Sequence, residues 1–190
     1  YATAFVYYHH NRPKEAMNAI EEALRLNPHS ATYFGMAAEI HLMRDEWTKA
    51  LGMAELGLEV SPDNVDCLNC RAIALSKLGK YREAEQSVDL ALARDPENEV
   101  SHANKASILF RQGKPKESAE HYREALRLNP NSKWAREGIL EALKARNPIY
   151  YPFAYITAKL SDMDRRASFV FALVLMFVPP LRSLMFLFLI

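Results

Sequence analysis

Apolar and polar positions over much of the chain alternate with a helical spacing that breaks at regular intervals. Between Asn64 and Pro96, the residues Leu68, Ala72, Leu75 and Leu78 recur at three- and four-residue steps, which is one face of an α-helix. Gly79 interrupts that run, and a second one, Ala84, Val88, Ala91 and Leu92, ends before Asp95-Pro96. The pattern predicts a helix capped by Asn64, a left-handed stop at Gly79 and a second helix. Gly113 repeats the stop one unit later, and Pro115 and Pro13 occupy the first turn of second helices, where a missing N–H costs nothing.

Sliding the sequence against itself by 34 residues brings Pro28, Pro62, Pro96 and Pro130 into one column. Two places later Ser30, Asn64, Asn98 and Ser132 form a column of N-cap residues. Three columns hold only small residues: Ala4, Ala38, Ala72 and Ala106; Ala16, Ala50, Ala84 and Ser118; Ala23, Gly57, Ala91 and Ala125. Small side chains at fixed places let two helix backbones approach to about 8–10 Å. A leucine column follows, Leu24, Leu58, Leu92 and Leu126. A fixed period of this kind means stacked units, each too small to bury its apolar face alone.

The expected architecture is all-α: helix pairs over about 1–30, 31–64, 65–98 and 99–132, then a capping helix over 133–146. In that last helix Ile139, Leu140 and Leu143 are expected to face the stack, with Arg136, Glu137, Glu141 and Lys144 toward water. Asn147-Pro148 ends it.

Residues 147–190 are a different material. Of the chain's 24 Lys/Arg and 23 Asp/Glu they hold four and two, leaving a balanced 20 and 21 in residues 1–146. Residues 147–166 read as a linker or interfacial helix, with Tyr150, Tyr151, Phe153 and Tyr155 of the kind that collects at a membrane–water boundary. Residues 167–190 are expected to form hydrophobic C-terminal helices. From Phe169 to Ile190 run 22 residues, 15 of them Leu, Ile, Val or Phe. As a helix they span about 33 Å at ~1.5 Å each, against a hydrocarbon core of about 30 Å. The apolar side chains favour insertion by about 7 kcal/mol and Arg182 opposes it by roughly 3. Pro179-Pro180 would kink or turn the segment. The expectation is therefore membrane association, with Phe169, Phe171, Leu173, Leu175 and Phe177 facing lipid. Lys159, Arg165 and Arg166 upstream place the repeats on the cytoplasmic side. The chain opens at Tyr1 and stops inside an apolar run, so the expectation is that it is part of a longer protein.

Candidate chemistry adds little. Cys67-x-x-Cys70 lacks the second ligand pair a zinc site needs, and the surrounding pattern is not the strand–helix context of a redox motif. His9-His10 has no partner at ligand spacing. Phosphate-loop, nucleophile-elbow and metalloprotease motifs do not occur, and a formal charge of +1 gives no pull toward nucleic acid. The reading is of a non-enzyme without metal or cofactor.

The spacing resembles that of the tetratricopeptide repeat family, a helix pair with small residues at set columns and a closing proline. The third unit carries the likeness best, through Leu68, Ala72, Leu75, Gly79, Tyr81, Ala84, Ala91 and Pro96. Arg71, Lys105 and His102 depart from it, standing where the family has apolar residues. The resemblance implies a right-handed superhelix whose first helices line a concave groove for a protein or peptide ligand. On that geometry the groove carries Met36, Glu39, Asn69, Ile73, Asn104, Ser107 and Arg111. Asn69 and Asn104 are expected to hydrogen-bond a ligand backbone, with Met36 and Ile73 giving apolar contact. The family's lysine-rich clamp for a terminal carboxylate finds only Asn104 here, with Asn69, Ile73, Trp134 and Gly138 at its other places. The function implied is a membrane-tethered scaffold for protein–protein interaction. The alternatives are a partner-binding arm of a polytopic membrane enzyme or transporter, or a tail-anchored organelle-surface adaptor.

Overall fold

Helix follows helix in the order that the periodicity predicts. The structure, a computed structural model, describes residues 1–146, which form one unit. The expected interfacial and membrane segments, with the five lipid-facing residues, lie outside the described residues. Among the described residues the elements are α1 (Ala2–His9), α2 (Pro13–Leu26), α3 (Ala31–Met43), α4 (Trp47–Val60), α5 (Val65–Lys77), α6 (Tyr81–Arg94), α7 (Glu99–Arg111), α8 (Pro115–Leu128) and α9 (Lys133–Arg146). Each helix packs on the one before and the one after it. The first helices of successive pairs also pack on one another, α3 on α5, α5 on α7 and α7 on α9. The result is a two-layered α-solenoid with an inner row of first helices.

The crossings are made at the small columns. Ala4, Ala38, Ala72, Ala106, Ala16, Ala50, Ala84 and Ser118 have no exposed surface at all. Gly57 and Gly138 show why even a methyl group is sometimes too much. A Cβ on Gly57 would run into the Cys67 thiol, and one on Gly138 into the Tyr122 ring. Between the crossings Ile20, Ile40, Leu68, Leu75, Val88, Ile108 and Leu109 fill the interior. The leucine column is only half-buried and flanks the core rather than forming it.

The helix ends follow the predicted chemistry in part. Asn64 Oδ1 accepts from the Cys67 N–H and Asn98 Oδ1 from the Ser101 N–H, both at 2.9 Å. Ser132 reaches the Ala135 N–H only at 3.4 Å, and Ser30 makes no side-chain capping bond. The stops are more regular than the glycines suggest. Gly79 and Gly113 have φ of 80° and 76°, and Asn11 and Asp45, in the same column, have φ of 54° and 58°. Asn and Asp are the residues that tolerate this region best after glycine.

Two of the three residues that depart from the apolar pattern are accommodated by pairing. Lys105, 8% exposed, donates from α7 to Glu85 at 2.8 Å and Asp89 at 2.7 Å on α6. His102 uses Nε2 on the Pro96 carbonyl at 3.0 Å, and its Nδ1 lies 3.1 Å from Nδ1 of His121. Arg71 reaches Glu55 only at 4.0 Å. In α9 the buried contacts are Ala135 and Ala142, with Ile139 packed beside them. Leu140 and Leu143, expected to face the stack, are exposed. The helix meets α8 along its small residues because Tyr122 occupies the space opposite Gly138.

Strain at the left-handed column gives a direct test. Gly79→Ala should destabilise the protein by about 1–2 kcal/mol, whereas Asp45→Gly, replacing a residue that already tolerates the region, should change it by less. Chemical denaturation followed by circular dichroism measures both, and an unchanged midpoint for Gly79→Ala would show that the column is not conformationally restrictive.

Candidate functional site

The inner row of helices bounds two adjoining cavities. The first, about 610 Å³, lies between Tyr8 of α1, Glu39 of α3, Asn69 and Ile73 of α5, and Trp47 at the start of α4. The second, about 160 Å³, lies between Ile73 and Lys77 of α5, Asn104, Ser107 and Arg111 of α7, and Trp134 of α9. Ile73 and Lys77 border both, so the two share a wall. First helices supply most of the lining because each is flanked by two second helices on its other side.

Six of the seven residues expected in the groove line these cavities: Glu39, Asn69 and Ile73 the first, and Ile73, Asn104, Ser107 and Arg111 the second. Met36 does not. It is 5% exposed and packs in the core with Ala4, Ile20 and Ile40, one helical turn away from the open face.

The expectation for Asn69 needs correcting. Asn69 is 5% exposed and Asn104 2%, and they bond to each other, Asn104 Nδ2 donating to Asn69 Oδ1 at 3.0 Å. Asn69 Nδ2 donates in turn to the Ser101 hydroxyl at 2.9 Å. Both ends of the Asn69 amide are therefore engaged inside the array, and it ties α5 to α7 rather than facing a ligand.

Sequence reasoning missed Trp47, Lys77 and Asp66. Trp47 belongs to a second helix, but as its first residue it reaches over the turn to the inner side. The Lys77 ammonium sits 5.0 Å from the centre of its ring, a cation–π contact. A lone tryptophan directly after the Arg44–Glu46 turn was the available signal. Trp134, 43% exposed, closes the far end of the second cavity.

Electrostatically the first cavity is acidic. Glu39 has no cation or hydrogen-bond donor among the described residues. Burial, and then the nearby Asp66 carboxylate, pushes its carboxyl up to about 7. Tyr8 is pushed up to about 12 by burial and by Glu39. The thiols are not available for chemistry. Cys67 Sγ lies 3.4 Å from the Ala31 carbonyl and Cys70 Sγ 3.8 Å from that of Gly35, both carbonyls in α3. Burial raises Cys67 to about 12 and Cys70 well above its ordinary value, so thiolate is scarce at neutral pH. No group of three or more metal-ligating side chains occurs among the described residues.

Comparison with known proteins agrees with this geometry. The family model described as tetratricopeptide repeat matches residues 1–64 and 71–133. A BBSome complex member from Bos taurus, BBS4, is 31% identical over 84 residues, which is 44% of this chain and 16% of that protein. The chain thus spans less than a fifth of that relative's length. A thermophilic repeat protein of the same kind from Thermus thermophilus superposes with a TM-score of 0.65 at 18% identity, over 74% of this chain and 77% of its own. The first repeat domain of Spaghetti (RPAP3), solved bound to an HSP90 peptide, superposes with a TM-score of 0.56 at 22% identity, over 61% of this chain and 92% of its own. At such identities the structural likeness establishes the fold.

Glu39 supplies a prediction with a definite sign. Its folded pKa lies above the ordinary 4.5, so the stability linked to its proton is present below that value and lost as pH rises through about 7. Glu39→Gln should therefore melt at a higher temperature than the native protein at pH 8 and at the same temperature at pH 4. The gain is at most about 3 kcal/mol, reduced by whatever solvent reaches the half-buried carboxyl. Equal melting temperatures at pH 8 would mean that Glu39 carries no uncompensated charge.

Proposed function

This chain belongs to the tetratricopeptide repeat family, and we propose that it is a non-catalytic scaffold that holds an extended segment of a partner protein across its two inner cavities. The observation that carries this reading is the shared wall. Ile73 and Lys77 border both cavities, so a single extended chain can lie in one and continue into the other. The lining mixes apolar surface, exposed Trp134 and half-buried Ile73, with charges, Glu39 and Asp66 in the first cavity, Arg111 in the second and Lys77 in both. Aromatic anchors with a polar rim are the composition of a recognition surface. The Spaghetti repeat domain, which holds a peptide, supports the same use of the fold.

The test is a substitution at the shared wall. Ile73→Asp places a charge where a bound chain would have to cross, and its half-buried position at the rim leaves the core intact. Peptides selected against the full chain from a random library should bind about tenfold or more weakly to it, with little change in melting temperature. Retention of full affinity would place the binding surface elsewhere.

The composition of residues 167–190 supports a second element of the proposal, a membrane tether that leaves the repeats on the cytoplasmic side. No helix among the described residues is long and apolar enough to cross a membrane, so the tether would rest on that segment alone. The full chain should float with phospholipid vesicles after an alkaline wash, and the double variant Leu173→Arg with Leu175→Arg should stay at the bottom of the gradient. Native protein recovered without the vesicles would remove the tether.

A further inference from the structure

Two histidines face each other across the fourth helix pair. Nδ1 of His102 on α7 lies 3.1 Å from Nδ1 of His121 on α8, with the ring centres 5.3 Å apart. Both side chains are half-buried. The same two columns hold Phe34 and Met53 in the second pair and Leu68 and Ser87 in the third, none of which titrates near neutral pH. The contact therefore belongs to one layer of the array.

Where the protons sit follows from the Pro96 carbonyl in the turn before α7. That oxygen can only accept, so His102 Nε2, 3.0 Å from it, carries a proton, and neutral His102 is left with a bare Nδ1. The neutral pair is then complete, His121 donating its Nδ1–H to His102 Nδ1. One added proton keeps this bond. Whichever ring holds the charge, one hydrogen still lies between the two Nδ1 atoms, and the bond is strengthened by the charge. A second added proton has only the shared position left. Two charged N–H groups then oppose each other across 3.1 Å, neither can accept, and the rings must part. The surroundings resist that step too. Burial, His102 and the Lys105 ammonium on α7 hold His121 below its ordinary 6.5, outweighing Asp89 on α6 and Glu120 on α8. Of the carboxylates around the pair, Asp89 is already bonded to Lys105, and Glu124, which feels both histidines, to Arg127.

We propose that His102 and His121 form a proton-operated latch, closed while the pair holds no more than one added proton and opened by the second, which loosens the packing of α7 on α8. A lone half-buried histidine would titrate in a single step. Two that share a hydrogen make the response depend on the second proton and place it below the ordinary histidine range. The sign is fixed by that resistance: the stability the pair contributes is present above about 6.5 and is lost as pH falls through the lower folded value. The effect is not confined to the two rings. Beside His121, Tyr122 fills the space opposite Gly138 and seats α9 on α8. Trp134 of α9 borders the second cavity, so the latch reaches the wall of the inner face from the outer layer.

Amide hydrogen exchange of the full chain in detergent micelles, read by mass spectrometry between pH 7 and pH 5 and corrected for the intrinsic effect of pH, tests the latch. Opening takes up one proton, so the amides of α8 should open up to about tenfold more often for each pH unit below the transition, while those of α5 do not change. His121→Asn puts an amide opposite His102 Nδ1 that can donate or, turned over, accept. It should therefore stay closed at pH 7 and lose the acid response. His102→Gln removes the other imidazole and should lose the response as well, which keeps the test sound if the first variant fails to fold. Spectra of isotope-labelled histidines in the native chain add a readout that needs no variant: at pH 8, His102 should carry its proton on Nε2 and His121 on Nδ1. An acid response that persists unchanged in either folded variant overturns the latch. So does a native α8 that opens no more often at pH 5 than at pH 7, or a His102 that carries its proton on Nδ1.

Discussion

Close approach of helix backbones at the small-residue columns is the constraint from which the rest of the structure follows. With Ala, Gly or Ser at each crossing, the backbones meet directly and the larger side chains are displaced to either side of the contact. Volume is exchanged locally where one helix carries more than its column allows. Cys67 is larger than a crossing residue should be, and Gly57 gives up its side chain opposite it. Tyr122 is larger still, and Gly138 does the same. Each exchange is settled between neighbouring helices, as expected of an array in which every unit leans only on the next.

The layers of the array are not held by the same forces. The first pairs close on an apolar cluster of Ala4, Met17, Ile20, Met36 and Ile40. The third and fourth share an apolar cluster of Leu75, Val88 and Ile108, to which directional bonds are added: Lys105 to Glu85 and Asp89, Gln112 to Glu85 at 2.7 Å, and the run from Asp95 through Asn98, Ser101 and Asn69 to Asn104. Burial pulls the Lys105 ammonium down, and the bonds to Asp89 and Glu85 more than offset it, leaving it above its ordinary value. Net stabilisation from such pairs is small, but a shifted register would leave a buried charge unpaired, which is costly. Apolar packing tolerates small slides between layers, and a bonded network does not.

Period and chemistry made most of the array legible from the residues alone. The crossings at Ala72 and Ala84, the caps at Asn64 and Asn98 and the stops at Gly79 and Gly113 each follow from a residue type with one physical use. Asn11 and Asp45 escaped notice because a left-handed φ is only sometimes marked by glycine, and the column shows it more clearly than the residue does. The inner face was harder to read. Family geometry places a residue to within about one helical turn, which puts Met36 and Glu39 side by side on α3, yet one is core and the other lines a cavity. Nor does sequence say how a polar side chain spends its bonds. Asn69 and Asn104 have the same chemistry and neighbouring places, and only the Ser101 and Asn98 side chains between helices decide that one is fully used and the other is not. Trp47 lay outside the expected face because the start of a second helix reaches the inner side through the turn before it.

The contrast between two similarly placed charges shows where the array tolerates cost. Lys105 sits at the seam between α6 and α7 with two carboxylates around it. Glu39, on the inner row, has no cation among the described residues, and the charge that acts on it, Asp66, is of the same sign. The Asn104 carbonyl, also in the inner row, has no hydrogen-bond partner among the described residues. In a solenoid such costs do not spread, since each helix pair is stabilised chiefly by its immediate neighbours. A carboxylate and a carbonyl can therefore be held desolvated at the inner surface while the small-residue crossings behind them supply the stability.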